Sequence, residues 1–456
     1  MGKQIRSKAV FLVAVIAVFC IALAFCTRSA YAATTAAPGK VTGLKKTYQG
    51  HYDYKLTWDK ASNAKSYQVY RATTKTGKYS LVKTVTSRSY TAYVTPGKQY
   101  YYKVRGVRDS KKGSFSSIIT VKTAAVNRLA AGIPKYWNEE INNAVKTFKN
   151  TAGQSTFLYF TDSHWAANTQ HSPAIISYLY DKLNFPFVVF GGDVIAGTYE
   201  KTKDAIAEVE DFYGRFDEHI NIMSTTGNHD YNTSSGDIAP LTEKKVYELI
   251  YKREKQFATV AQYGRCAYTD DTANKVRYIS MYFDAYLDNE IPQMGMDYGK
   301  AYPSQSELDW LKATVQDSRL DKNWTIVLFT HGYWNFVKKG STPTPTAAGA
   351  KFGDYLLNLQ ADSATKADIG CWLVGHTHRD MSTVIKNDSG KIRIICTNCD
   401  TYVDGKMSRD SGYWGGWTMT KGHDTEQVID MVRIDTVNKK IHLVRVGAGK
   451  DRNYSY

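Results

Sequence analysis

Phe157-Leu158-Tyr159-Phe160-Thr161-Asp162-Ser163-His164 decides the fold. Four apolar residues run without a turn signal into an Asp-x-His. A strand buried on both faces has this look, and in open α/β sheets the rim just past the C-terminal ends of the strands is where sites form. The pattern returns four times: Phe187–Phe190 leads into Gly191-Gly192-Asp193, and Ile220–Ser224 leads into Gly227-Asn228-His229-Asp230. Trp324–Phe329 then precedes His331, and Cys371–Val374 precedes Gly375-His376-Thr377-His378. About thirty residues separate the first three ends, room for a helix that crosses over and returns. Ile175–Lys182 and Thr202–Tyr213 carry the helical spacing expected of those crossovers.

The residue types at the five ends define a chemistry. Asp162, Asp193 and Asn228 offer oxygen ligands, and His164, His331, His376 and His378 offer imidazoles. Seven ligands are too many for one zinc ion and suit two ions that share a carboxylate. Mixed nitrogen and oxygen donors favour Mn, Fe, Zn or Ni over Ca or Mg. Two anionic ligands against two divalent ions leave the site positive, which draws in phosphate and lowers the pKa of a bridging water. Singly, an Asp-x-His or a histidine at a strand end is usually structural. Here five of the ten histidines gather at these ends, beside glycines that permit close backbone approach. His51, His171, His219, His423 and His442 have no such company and read as ordinary residues.

Together these motifs resemble the calcineurin-like metallophosphoesterases over most of 150–400. The resemblance implies an α/β (α+β) four-layer sandwich of two mixed sheets flanked by helices. It implies that Asp162, His164, Asp193 and His378 hold one ion, and that Asp193, Asn228, His331 and His376 hold the other. His229 would meet the phosphate, with Asn228, and protonate the departing oxygen; Asp230 would orient His229 or stand behind the ligands. Attack would come from a hydroxide bridging the two ions. The chain departs from plant-type purple acid phosphatases, with Ala196 where they carry a tyrosine ligand and with His164 present. It also lacks the Gly-Asp-x-x-Asp-Arg-Gly string of protein Ser/Thr phosphatases after Asp193. Trp165, Asn168, Tyr333 and Trp334 flank the ligands as candidate pocket residues.

Outward from this region, the chain divides by charge and pattern. Its 456 residues, 43% hydrophobic and 22% charged with mean hydropathy −0.42, exclude a disordered tail, a collagen-like repeat and a polytopic membrane protein. The net charge of +16 is unevenly spread. Residues 1–32 hold four Lys/Arg and no acid, and 33–125 hold 18 Lys/Arg against three Asp. Residues 126–456 hold 37 basic and 40 acidic residues, so the part with the motifs is slightly acidic and has no nucleic-acid footprint.

Met1–Ala32 reads as a signal peptide: basic start, apolar Ala9–Cys26, then Ala30-Tyr31-Ala32 with cleavage after Ala32. The expectation is a secreted or cell-surface protein. Residues 38–124 break into short alternating runs separated by Gly, Pro, Asn and Asp, about seven strands, and resemble a fibronectin type III module through Trp58, Tyr70 and Tyr100–Val107. Its excess of basic residues suggests an anchor to a polyanionic cell wall or membrane surface. The phosphoesterase-like domain takes the rest, 125–456, opening with helical spacing around Trp137–Val145. Cys371 reads as a core thiol, and Cys396-x-x-Cys399 fits a local disulfide or two free thiols alike.

The functional expectation is an exported metal-dependent hydrolase of phosphate mono- or diesters. The competing readings are a non-catalytic surface protein on the same scaffold and a secreted nuclease. A scaffold that had lost its chemistry would be missing ligands, and none is missing.

Overall fold

The computed structural model describes residues 36–456 except 51–52, 95–96, 124–128, 149–152, 166–168, 233–240, 252, 262–265, 283–284, 287–300, 335–343, 389 and 402–418. The expected signal segment with its expected cleavage site, His51, Asn168 and the expected boundary at 124/125 lie outside the described residues. The chain forms two compact units that part between Val126 and Asn127.

The N-terminal unit has β1 (Lys45–Gly50), β2 (Asp53–Thr57), β3 (Ser66–Ala72), β4 (Ser80–Val85), β5 (Ser89–Tyr93), β6 (Gln99–Arg108), β7 (Lys111–Lys112) and β8 (Ile119–Lys122). One sheet has the order β1-β2-β5, the other β4-β3-β6-β7 with β8 also on β6, and every pairing is antiparallel. Alternate residues fill the space between them: Leu56, Trp58 and Ala92 from the first side, Tyr67, Val69, Tyr102 and Val104 from the second. Trp58 meets Tyr67 edge-on at 5.5 Å. The strand count exceeds seven only through β7, two lysines without apolar alternation.

The C-terminal unit is two mixed sheets face to face. The first contains β9 (Ser155–Phe160), β10 (Val188–Phe190) and β11 (Ile222–Ser224), parallel to one another. The second begins with β12 (Thr259–Val260), β13 (Cys266–Asp271) and β14 (Val276–Met281). A small separate pair, β15 (Ala285–Tyr286) and β16 (Ala301–Tyr302), precedes β17 (Thr325–Phe329). β18 (Asp368–Val374), β19 (Met381–Asn387) and β20 (Gly390–Cys396) complete the second sheet, ordered β12-β13-β14-β17-β18-β20-β19. The chain then returns to the first sheet with β21 (Val428–Asp435), β22 (Lys440–Gly447) and β23 (Arg452–Ser455), giving β11-β10-β9-β21-β22-β23.

The continuous apolar run of β9 is explained by burial on both faces. Phe157 and Tyr159 face the second sheet, Phe157 packing on Tyr278 at 5.3 Å and on Phe329 at 5.4 Å. Leu158 and Phe160 face the opposite layer with Ile175, Ile176, Leu179 and Phe212, from the crossover helices Ser172–Leu183 and Thr202–Gly214. The helix Asn138–Thr147 opens the unit, and Gln305–Val315 and Ala347–Ala361 are the longer helices beside the second sheet.

Candidate metal centre

Strand register brings the site together. Phe160, Phe190 and Ser224 occupy one rung of the first sheet, so the chain leaves all three strands at one edge. Phe329 and Leu373 share a rung of the second sheet. Asp162, His331 and His376 each follow two residues past a strand end. The two rims are stitched directly: the His376 amide donates to both Asp162 oxygens at 3.1 Å, and His331 Nδ1 meets the Gly191 carbonyl at 2.6 Å.

Two groups of donor atoms result. Asp162, His164, Asp193 and His378 each present one ligand atom within 4.8 Å of the others, and Asp193, His331 and His376 form a second such group. Asp193 belongs to both. His164 Nε2 and His378 Nε2 stand 3.2 Å apart, His378 Nε2 lies 3.2 Å from Asp162 Oδ1, and His331 Nε2 lies 3.1 Å from Asp193 Oδ2. All are buried except His164, which is partly so. Asn228 is the one expected ligand that is neither a histidine nor a carboxylate. It sits half-buried beside His229, whose amide donates to Asp193 Oδ1 at 3.0 Å.

The backbone is bent to make these approaches. Asp162, His164, Asp193, His376 and His378 all have positive φ, between 42° and 69°. Left-handed conformations cost such residues roughly 1–2 kcal/mol each, and they persist where surrounding contacts over-determine them. Space is equally tight. A Cβ on Gly227 would fall 2.0 Å from Asp193 Oδ1, and one on Gly375 would fall 2.4 Å from Asp162 Oδ2.

The donor set fits a metal. His331 directs Nδ1 to the Gly191 carbonyl and His164 directs Nδ1 to the Ile195 carbonyl at 3.3 Å, which presents Nε2 inward as the ligand atom. Without metal the ring charges separate. Burial works against a charged His331, but Asp193 and Asp162 outweigh it and lift the ring to about 10. Burial lowers His164 to about 4 and, with the His331 charge, His376 to about 3, so both rings stay neutral. Asp162 ionises at about 2, its burial overcome by His331 and His378. A divalent cation requires neutral imidazoles and ionised carboxylates; His164, His376 and Asp162 already meet that demand, and His331 gives up its proton when an ion binds.

His229 stands apart from the ligands. Its Nδ1 meets the Ala196 carbonyl at 2.6 Å, and Nε2 lies 3.9 Å from Asp193 Oδ2. At 28% side-chain exposure it is more open than His164, at 12%. Asp230 takes the second of its two expected roles and stands behind the ligands. Asp230 Oδ2 accepts the amides of Asp193 and Gly227 (3.0 and 2.8 Å) and Oδ1 that of Val194 (2.7 Å). It is a clasp between two ligand loops, and burial with the nearby Asp193 charge raises it to about 7. The Nδ1 partner of His229 is a backbone oxygen, which side-chain spacing does not name.

The aromatic candidates are packing residues. Trp165 is buried, donates its indole N–H to Asp211 at 2.8 Å and stacks edge-on against Phe212. Tyr333 and Trp334 are buried against each other, and Tyr333 also against Trp372. Four other histidines have local partners: His171 with Glu426, His219 with Asp181, His423 with Asp424 and His442 with Asn453. Cys266, Cys371, Cys396 and Cys399 are buried free thiols, which removes the disulfide alternative.

Residues 155–380 match the family model described as calcineurin-like phosphoesterase, and the C-terminal unit carries a domain of that family. Among solved structures, an Fn3-like protein from Clostridium thermocellum is 30% identical, covering 21% of this chain and 100% of its own, with TM-score 0.18. The sixth fibronectin type III domain of human fibronectin type III domain containing protein 3 is 15% identical, covering 21% of this chain and 94% of its own, with TM-score 0.19. No curated protein matches. By its two sheet orders the N-terminal unit is fibronectin type III-like.

Proposed function

We propose that the chain is an exported metal-dependent phosphoesterase that holds two transition-metal ions, Mn, Fe, Zn or Ni, and hydrolyses phosphate mono- or diesters. The observation that carries this is the Asp193 carboxylate common to two donor groups. Asp162, His164, Asp193 and His378 would hold the first ion, and Asp193, Asn228, His331 and His376 the second. Such a pair, when bound, supplies Lewis acidity toward the phosphoryl oxygens and an activated water.

The chain's own groups do the rest. His229 Nδ1 is held on the Ala196 carbonyl, which leaves Nε2, on the Asp193 side of the ring, to pass a proton to the departing ester oxygen. Asn228 has the amide to steady a phosphoryl oxygen. Asp230 keeps the Asp193 and Gly227 loops at fixed separation. A chromogenic aryl phosphate, its bis-ester and single-stranded DNA, assayed after reconstitution with each metal, test the reading. Metal-dependent turnover of either ester supports it; turnover of DNA alone would make the protein a nuclease.

The basic 38–124 module serves in this reading as an anchor to a polyanionic surface. Its only ion pair among the described residues is Lys65–Asp109. Lys103 instead lies between Tyr79 and Phe115 (4.1 and 4.3 Å), and Arg105 between Tyr70 and Phe115. Arg105 also donates to Gln68 and Tyr70, but no carboxylate among the described residues neutralises either cation, so their charge is left to attract an anion. Retention of the full chain on an anionic polymer should fall steeply with salt; retention indifferent to salt would retire the anchor.

A further inference from the structure

Outside the matched residues 155–380, the C-terminal strands carry a charge cluster that touches the metal loop. Asp380 follows His378 by two residues. Its carboxylate accepts from Arg445 (2.7 and 3.2 Å), from Arg452 (2.5 Å) and from the Asn398 amide (3.1 Å). Asp430 accepts from Arg445 Nε at 2.9 Å, from Arg452 and from the Thr397 hydroxyl at 2.7 Å. Two guanidiniums thus bridge two carboxylates in a closed, neutral quartet, with every side chain 12% exposed or less.

The quartet's place in the topology matters more than its energy. Replacing such buried ion clusters with apolar residues is often neutral or stabilising, so stability alone is a weak account of this one. Arg445 and Asp430 are cross-strand partners in β22 and β21, and Asp430 pairs with Tyr159 in β9, three residues before Asp162. The loop Gly375–Asp380 leaves β18 in the other sheet, where the Gly375 amide is tied to the His331 carbonyl at 2.8 Å. Its far end, at Asp380, is tied through the arginines to the first sheet. His378 comes from one sheet and Asp162 from the other, and the quartet spans the gap between the elements that carry them.

We propose that Asp380, Arg445, Arg452 and Asp430 are positioning residues for the first ion. By docking the Gly375–Asp380 loop onto β21 and β22 they hold His378 Nε2 against Asp162, which makes the C-terminal strands part of the metal centre. This rests on the two-ion reading above. Partners behind metal ligands are typically worth 10- to 100-fold in metal affinity. Lysine cannot replace Arg452, because one ammonium does not supply the separate forks that reach Asp380 and Asp430.

The test uses the full chain with Mn²⁺ or Co²⁺ and chelator competition, alongside thermal melting. Wild-type protein must take up two equivalents; if it takes up none, the two-ion reading fails and the quartet is not at issue. Given normal wild-type uptake, Arg452→Met and Asp380→Asn should each weaken one of the two ions by 10-fold or more and leave the other. Arg452→Lys should melt nearer to wild type than Arg452→Met and yet show the same one-ion defect, with an altered Co²⁺ absorption band. Folded variants that bind both ions like wild type would overturn the proposal. So would loss of fold in both Arg452→Met and Asp380→Asn, or full recovery of metal binding in Arg452→Lys, which would make the quartet structural only.

Discussion

His331 Nε2 lies 3.1 Å from Asp193 Oδ2, joining the rim of one sheet to the rim of the other at a fully buried contact. Neither strand end could make this contact alone. The same carboxylate meets the His229 amide through its other oxygen at 3.0 Å, so Asp193 is fastened on both sides before any ligand arrives. A preformed cage of this kind spends folding energy on the site: five residues in left-handed backbone, and glycines where a methyl group would collide with a ligand.

His229→Ala should retain both metals and lose about 10²- to 10⁴-fold in rate, the usual scale of a positioned acid. The loss should be largest on alkyl phosphates, whose leaving oxygen needs a proton, and small on activated aryl esters. Rates on the two substrate classes, with metal content measured on the same sample, check this. A fully metallated variant with undiminished alkyl phosphate turnover would remove His229 from that role.

Gly227→Ala tests the tightness of the cage. The added methyl would sit 2.0 Å from Asp193 Oδ1, and the carboxylate must move. Overpacking of this order costs about 1–3 kcal/mol. Metal affinity should fall together with the melting temperature, whereas Gly214→Ala, where a Cβ meets nothing within 4 Å, should leave the metals untouched.

Glu254 offers a pH test away from the metals. It is buried, accepts the Ser224 amide at 2.6 Å, and burial pushes it up to about 8. In the unfolded chain it titrates near 4.3. A carboxyl raised on folding adds stability that is complete below its unfolded value and is lost as pH climbs through its folded one. Its contribution therefore declines between about pH 4 and pH 8. Urea midpoints of wild type and Glu254→Gln, taken from pH 5 to 9, should converge or cross as pH rises, because only the wild type has a proton to lose there. Parallel curves would contradict the assignment.

The ligands were legible because each lies just past a contiguous apolar strand, a pattern that survives in one dimension. Phe157–Phe160 announces Asp162 in this way, and Trp324–Phe329 announces His331. Of the two roles expected for Asp230, the structure matches the one behind the ligands; the choice rests on the amides of Asp193, Val194 and Gly227, which leave no mark on side-chain spacing. Asp380, Asp430, Arg445 and Arg452 were invisible for a related reason: they meet through the register of β21 on β9 and β22, and pairing between distant strands is not written locally. Trp165, Tyr333 and Trp334 stood in the right places in sequence, yet their rings turn into packing. The N-terminal sandwich was readable from alternation except at β7, where Lys111-Lys112 has none to read.

Whether one carboxylate serves two ions is decided by elemental analysis of Asp193→Asn beside wild type. Two transition-metal equivalents are expected per wild-type chain and loss of both in the variant, with activity lost in step. A wild-type protein that takes up no metal on titration, or an Asp193→Asn protein that keeps both ions, would contradict it.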